Sequence, residues 1–127
     1  MRKRRMLCLS LLMASVLALS CGIFNFSGKF SPPTWIQGTW SDTYSTTTYI
    51  FETENVKQTI GGYTINLGLA YLAATITETS NDSLYEFSID QSDEIATYRF
   101  EKTSATTLDY TVTASEVTSP VVVLTKQ

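Results

Sequence analysis

From Thr34 onward the chain is written in a period of two, and that alternation constrains its fold more than any other feature. In the run Thr107–Thr113, Leu108, Tyr110 and Val112 stand on one side, with Thr107, Asp109, Thr111 and Thr113 on the other. Successive side chains leave opposite faces only in an extended strand, so the run reads as a strand with one buried face. Ala96, Tyr98 and Phe100 alternate with Thr97, Arg99 and Glu101, and Tyr85, Phe87 and Ile89 with Glu86, Ser88 and Asp90. Half-buried strands of this kind belong to antiparallel sheets.

Short turn signals separate the runs: Gly61-Gly62, Asn81-Asp82, Gln91-Ser92-Asp93 and Thr103-Ser104-Ala105. Gly-Gly between Ile60 and Tyr63 suits a two-residue type I′ hairpin, because both central residues of that turn need positive φ. The pattern predicts strands near 36–42, 46–54, 56–60, 63–70, 73–79, 83–90, 94–102, 106–114 and 120–126. Residues 66–74 satisfy both periods, and their Leu and Ala content suits a short helix as well as a strand. Eight or nine short strands joined by tight turns predict one all-β domain over residues 34–127. It is expected to be a small antiparallel up-and-down β-barrel of about eight strands, with a two-sheet β-sandwich as the alternative.

The N-terminus follows a different rule. Arg2, Lys3, Arg4 and Arg5 precede an apolar run from Met6 to Ala18, and Leu19-Ser20-Cys21 follows. This is the three-part layout of a secretory signal, which places a removable signal peptide at residues 1–20. The apolar run is shorter than the roughly 20 residues a transmembrane helix needs. Leu17-Ala18-Leu19-Ser20-Cys21 resembles the lipobox of bacterial lipoproteins, with Ala18 and Ser20 standing where Leu and Gly or Ala are commonest. The resemblance implies that the sulfur of Cys21 carries a diacylglycerol and that Cys21 becomes the new N-terminus. Residues 21–33 then read as a lipidated tether, whose Phe24, Phe26 and Phe30 either dip into the membrane interface or pack under the domain. Gly22 follows the cysteine where an Asp would signal inner-membrane retention, so the resemblance implies an exported protein anchored at the outer membrane or cell surface of a bacterium.

Composition removes most chemistry. The chain has no histidine, and Cys8 leaves with the signal, so Cys21 is the one mature cysteine. His/Cys metal sites and Ser-His or Cys-His nucleophile pairs are therefore absent, and neither a metal nor a cofactor is expected. Asp93 with Glu94 and Glu52 with Glu54 are carboxylate pairs of the kind that serve glycoside cleavage or calcium binding. They fall on predicted loop tips and solvent faces, which favours a protein that is not an enzyme. Without residues 1–20, five cations remain against twelve carboxylates, a net charge of −7. A field of that sign disfavours nucleic acid. The threonines of 43–48 and 103–107 suit exposed strand positions better than sugar attachment.

Trp35-Ile36-Gln37-Gly38-Thr39-Trp40-Ser41-Asp42 looks like the Gly-x-Trp opening of lipocalins and their calycin relatives, and Leu124-Thr125-Lys126 resembles their closing strand. The resemblance extends over residues 34–127 in layout, without the long lid loop or the C-terminal helix of typical members. It implies a lipocalin-like barrel whose closed end is plugged by Trp40 and covered by Lys126. If Trp35 and Trp40 share the first strand, their odd separation sends them to opposite faces.

Two functions follow. The first is a membrane-anchored binding module of the bacterial envelope, holding a small apolar ligand among Tyr49, Phe51, Tyr85, Phe87, Tyr98, Phe100 and Tyr110. The second is a barrel filled by those aromatics that offers its loops or outer wall to an envelope protein.

Overall fold

The computed structural model describes residues 30–44 and 46–127. The expected signal peptide, Cys21 and the expected tether as far as Lys29 lie outside these residues. Ten strands form one antiparallel sheet: β1 (Gly38–Asp42), β2 (Thr47–Phe51), β3 (Val56–Ile60), β4 (Tyr63–Asn66), β5 (Thr75–Ser80), β6 (Leu84–Gln91), β7 (Glu94–Lys102), β8 (Thr107–Ala114), β9 (Val117–Thr118) and β10 (Val122–Lys126). Their order is β4-β3-β2-β1-β10-β8-β7-β6-β5, with β9 added to β8. Each strand of that path neighbours the next in the chain, except where β10 returns to close β8 onto β1. This is an up-and-down meander curled into a half-barrel, all-β as the alternation predicts. Nine strands make the curl rather than about eight, and β4 and β5 are not paired with each other.

The break between β4 and β5 has a local cause. The predicted strand 63–70 stops at Asn66, where the Asn66 side chain accepts from the Leu69 N–H and caps a single helical turn, α1 (Leu67–Ala70). Asn at that position supplies the acceptor the first turn lacks. Leu67 and Ala74 are buried and Tyr71 packs against the core, so the ambiguous stretch 66–74 resolves to a turn of helix and a connector.

Register assigns every strand residue to one of two faces. Trp40 pairs with Tyr49 and Lys126, Tyr49 with Gln58, Phe100 with Tyr85 and Tyr110, and Phe87 with Tyr98. These line the concave face. The convex face carries two rows of hydroxyls at right angles to the strands. Thr64, Thr59, Thr48, Ser41, Thr125 and Thr107 are successive register partners across six strands, and Thr77, Ser88, Thr97, Thr113 and Thr118 across five. Within them Thr59 and Thr64 share a hydrogen bond of 2.9 Å, Ser41 and Thr48 one of 2.9 Å, Ser88 and Thr97 one of 2.8 Å, and Thr113 and Thr118 one of 2.8 Å. Directly opposed Thr–Thr and Thr–Ser pairs that share a hydrogen bond stabilise by roughly 0.2–1 kcal/mol each, which accounts for the abundance of threonine.

The core extends upstream of residue 34. Phe30 is fully buried, with its ring 5.0 Å from that of Phe87 at an interplanar angle of 75°. The N–H of Ser31 donates to both carboxylate oxygens of Glu78, at 2.7 and 3.0 Å. Of the three phenylalanines of the expected tether, Phe30 packs into the domain.

Candidate functional site

The half-barrel has two ends of different character. At the closed end, the turns 52–55, 80–83 and 103–106 surround the two tryptophans. Strand β1 starts only at Gly38, so Trp35 sits in the preceding turn and the opposite-face expectation for the tryptophan pair does not apply. Trp40 is buried, donates from Nε1 to the Ile36 carbonyl at 2.7 Å, and lies under the Lys126 ammonium, 5.5 Å from the ring centre. Trp35 donates to the Asn81 carbonyl at 2.8 Å and lies under Lys102 at 5.7 Å. The second cation–indole pair was legible: Lys102 continues the inward series Ala96, Tyr98, Phe100.

The middle of the lumen is filled. Of the candidate lining residues, Tyr49, Phe51, Tyr85, Phe87 and Phe100 are at most 2% exposed and Tyr110 is 9% exposed. They occupy the lumen by packing on one another: Tyr49 against Phe100 at 5.1 Å, Phe51 against Phe100 at 5.0 Å, Phe100 against Tyr110 at 4.9 Å, and Phe87 against Tyr98 at 4.9 Å. These six are core and do not line an open cavity. Their hydroxyls are satisfied internally. Gln58 donates to the Tyr49 hydroxyl at 2.7 Å, Tyr49 donates to Tyr110 at 2.7 Å, and Tyr85 donates to Glu78 at 2.9 Å.

Burial pushes the Tyr49 phenol well above its ordinary range, reinforced by Tyr110, and does the same to Tyr85, reinforced by the Glu78 carboxylate. Tyr98 is pushed up to about 12 by burial, and burial raises Tyr110 as well. All four hydroxyls are therefore neutral donors and acceptors at physiological pH.

At the opposite end the lumen opens. A cup of about 260 Å³ lies on the concave face of β6, β7 and β8, lined by Tyr71, Ile89, Gln91, Glu94, Ala96, Tyr98, Val112 and Ala114. Tyr98 is the one candidate lining residue that reaches it; Tyr71 comes from the connector after α1, where no periodicity pointed to it. The floor is apolar, two phenol rings form walls, and Gln91 with Glu94 supplies the polar groups at the rim. A 150 Å³ apolar cavity accepts benzene, so this volume suits a single bicyclic ring or a side chain of that size.

The two carboxylate pairs are placed apart. Glu52 is bound to Lys57 at 2.7 Å near the closed end, and Asp93 and Glu94 stand at the mouth. Among the described residues no group of three or more His, Cys, Asp or Glu side chains converges on a point, and no helix is long and apolar enough to cross a membrane. No family model matches the sequence, and neither the curated proteins nor the solved structures contain a match to this chain.

Proposed function

We propose that this protein is an exported, lipid-anchored binding module of the bacterial envelope without catalytic function, and that its recognition site is the cup at the barrel mouth. The observation that carries this reading is the division of the lumen. Aromatic packing fills its middle and its closed end, and at the mouth leaves a small recess with an apolar floor, phenol walls and a polar rim. Such a recess has the composition of a ligand site, at a volume below the usual 300 Å³ or more of sites for drug-sized molecules. The ligand group it takes is accordingly small.

The anchor is proposed on residues 1–21 alone. Phe30 is nine residue steps beyond Cys21, which at about 3.3 Å per step holds the domain within roughly 30 Å of a bound lipid. The cup is tested by titrating indole against the full chain with ¹³C-labelled alanine and valine methyls. Saturable shifts of the Ala96, Ala114 and Val112 methyls are expected. The Kd should be on the order of 1 mM, the value for nine heavy atoms at roughly 0.45 kcal/mol each. An absence of saturable shifts at these methyls rejects the cup as a binding site.

A further inference from the structure

The mouth differs from the closed end in its turn residues as well as its recess. The mouth turns carry Tyr44 after β1, Ile60 and Tyr63 around Gly61-Gly62, Ile95 after the β6–β7 turn and Val117 after the β8–β9 turn. All five are exposed, Tyr44 by 85%, Tyr63 by 80% and Val117 by 70%. The closed-end turns 52–55, 80–83 and 103–106 contain no large apolar residue.

Charge is divided in the same way. Asp90, Asp93, Glu94 and Glu116 stand at the mouth. The cations of the described residues are all elsewhere and all engaged: Lys57 with Glu52, Arg99 with Glu86 at 3.1 Å, Lys102 over Trp35 and Lys126 over Trp40.

Apolar tips alone would suit a bilayer, a second copy of this chain or another protein; the charges decide between them. Two mouths placed face to face would oppose carboxylate to carboxylate, and a bilayer with anionic headgroups would be repelled for the same reason. The surface complementary to apolar tips among unpaired-sign carboxylates presents apolar side chains interleaved with Lys or Arg. We propose that the mouth binds a cationic amphipathic peptide segment, which seats one apolar side chain in the cup between Tyr71 and Tyr98 and sets its cations against Asp93, Glu94 and Glu116. This rests on the cup being a binding site and adds the class of partner. The arrangement is a buried anchor in a pocket with a charged rim that orients it.

The test uses a synthetic amphipathic peptide of leucine and lysine, with a leucine–glutamate peptide of the same pattern as control. The leucine–lysine peptide should shift the Ala96, Val112 and Ala114 methyls and displace indole. Asp93→Asn with Glu116→Gln, neither of which lines the cup, should weaken the peptide by about fivefold and leave indole affinity unchanged. Ile95→Ser with Val117→Ser, at exposed positions, should weaken the peptide without loss of fold. The closed-end pair Glu54→Gln with Asp82→Asn should have no effect.

Equal binding of the leucine–glutamate peptide overturns the proposal, as does peptide binding indifferent to the mouth variants, which would be attraction to net charge alone. Tighter capture of vesicles containing phosphatidylglycerol than of the peptide overturns it in favour of a lipid surface. Indole binding without peptide binding removes the peptide and keeps the cup; binding of neither removes both.

Discussion

The Lys126 ammonium stands 5.5 Å from the centre of the Trp40 ring, on the residue that is also Trp40's register partner across β1 and β10. The pair thus ties the first strand to the last, which are neighbours inside the sheet. Gly38 makes room for it: with φ at +124°, a Cβ there would meet Lys126 Cε at 3.3 Å. A double-mutant cycle of Trp40→Phe and Lys126→Met, followed by urea unfolding, should give a coupling of about 0.5–2 kcal/mol. Additive losses would mean that the ammonium does not interact with the indole. Gly38→Ala should cost at least about 1 kcal/mol, because alanine must both adopt positive φ and displace the lysine stem.

Two turns of the same geometry make an internal comparison. Gly61 and Gly62 have φ of +56° and +86°, while Ser115 and Glu116, which link β8 to β9, have φ of +51° and +65°. Both are two-residue loops with positive φ throughout, and only the first uses residues suited to it. Ser115→Asn with Glu116→Gly removes left-handed strain of roughly 1–2 kcal/mol per residue, offset in part by the added freedom of glycine in the unfolded chain. The thermal midpoint should rise by several degrees, read by circular dichroism; an unchanged or lower midpoint would show that the turn is not strained.

The same comparison shows what sequence could and could not convey. The Gly61-Gly62 hairpin and the inward series of β6, β7 and β8 follow from alternation and turn chemistry, and Trp40 and Lys126 stand on the first and last strands of the pattern. Alternation alone carries β4 on to residue 70, because Leu67, Leu69 and Ala70 fit either period, whereas a single capping contact from Asn66 turns the chain into helix. The packing of Tyr71 and Phe30 against the core is not legible in the sequence, since nothing about a connector or a tether marks which aromatic finds the lumen. The seven candidate lining residues face inward, six of them packed on one another and Tyr98 at the cup: periodicity gives the face of a residue, and the volume left between facing residues is a tertiary property.

Alkaline stability depends on the buried phenols. In the folded chain Tyr98 is held up to about 12, and Tyr49, Tyr85 and Tyr110 are raised by burial, against about 10 when unfolded. Raised folded values mean that the unfolded state loses protons first as pH rises, so this stability is complete below pH 10 and lost above it. The slope should be on the order of 1.4 kcal/mol per pH unit for each phenol. Absorbance at 295 nm should therefore show these four tyrosines ionising together with unfolding, above pH 10. Ionisation of all four near pH 10 with the near-UV circular dichroism intact would contradict the buried network.

The proposed anchor predicts a mass. Mature protein extracted from membranes of a bacterial host should begin at Cys21 and carry a diacylglycerol on its sulfur, and Cys21→Ala should release the domain from the membrane fraction. An unmodified Cys21 would remove the membrane assignment and leave the half-barrel and its cup untouched.

Phe30 gives that anchor its mechanical meaning. Its ring is fully buried against Phe87, and the adjacent Ser31 N–H is gripped by both oxygens of Glu78, so chain leaving the lumen is fixed on β5 and β6. Pull on the N-terminus is therefore borne by the core. Phe30→Ala deletes a buried ring and should cost about 3–5 kcal/mol, a large share of the 5–15 kcal/mol that stabilises a typical domain. Phe30→Leu refills most of the space and should recover more than half of that loss. Both are read from urea midpoints. If Phe30→Ala unfolds at the midpoint of the unaltered protein, the ring is not part of the core and the tether must be counted as running to Pro33.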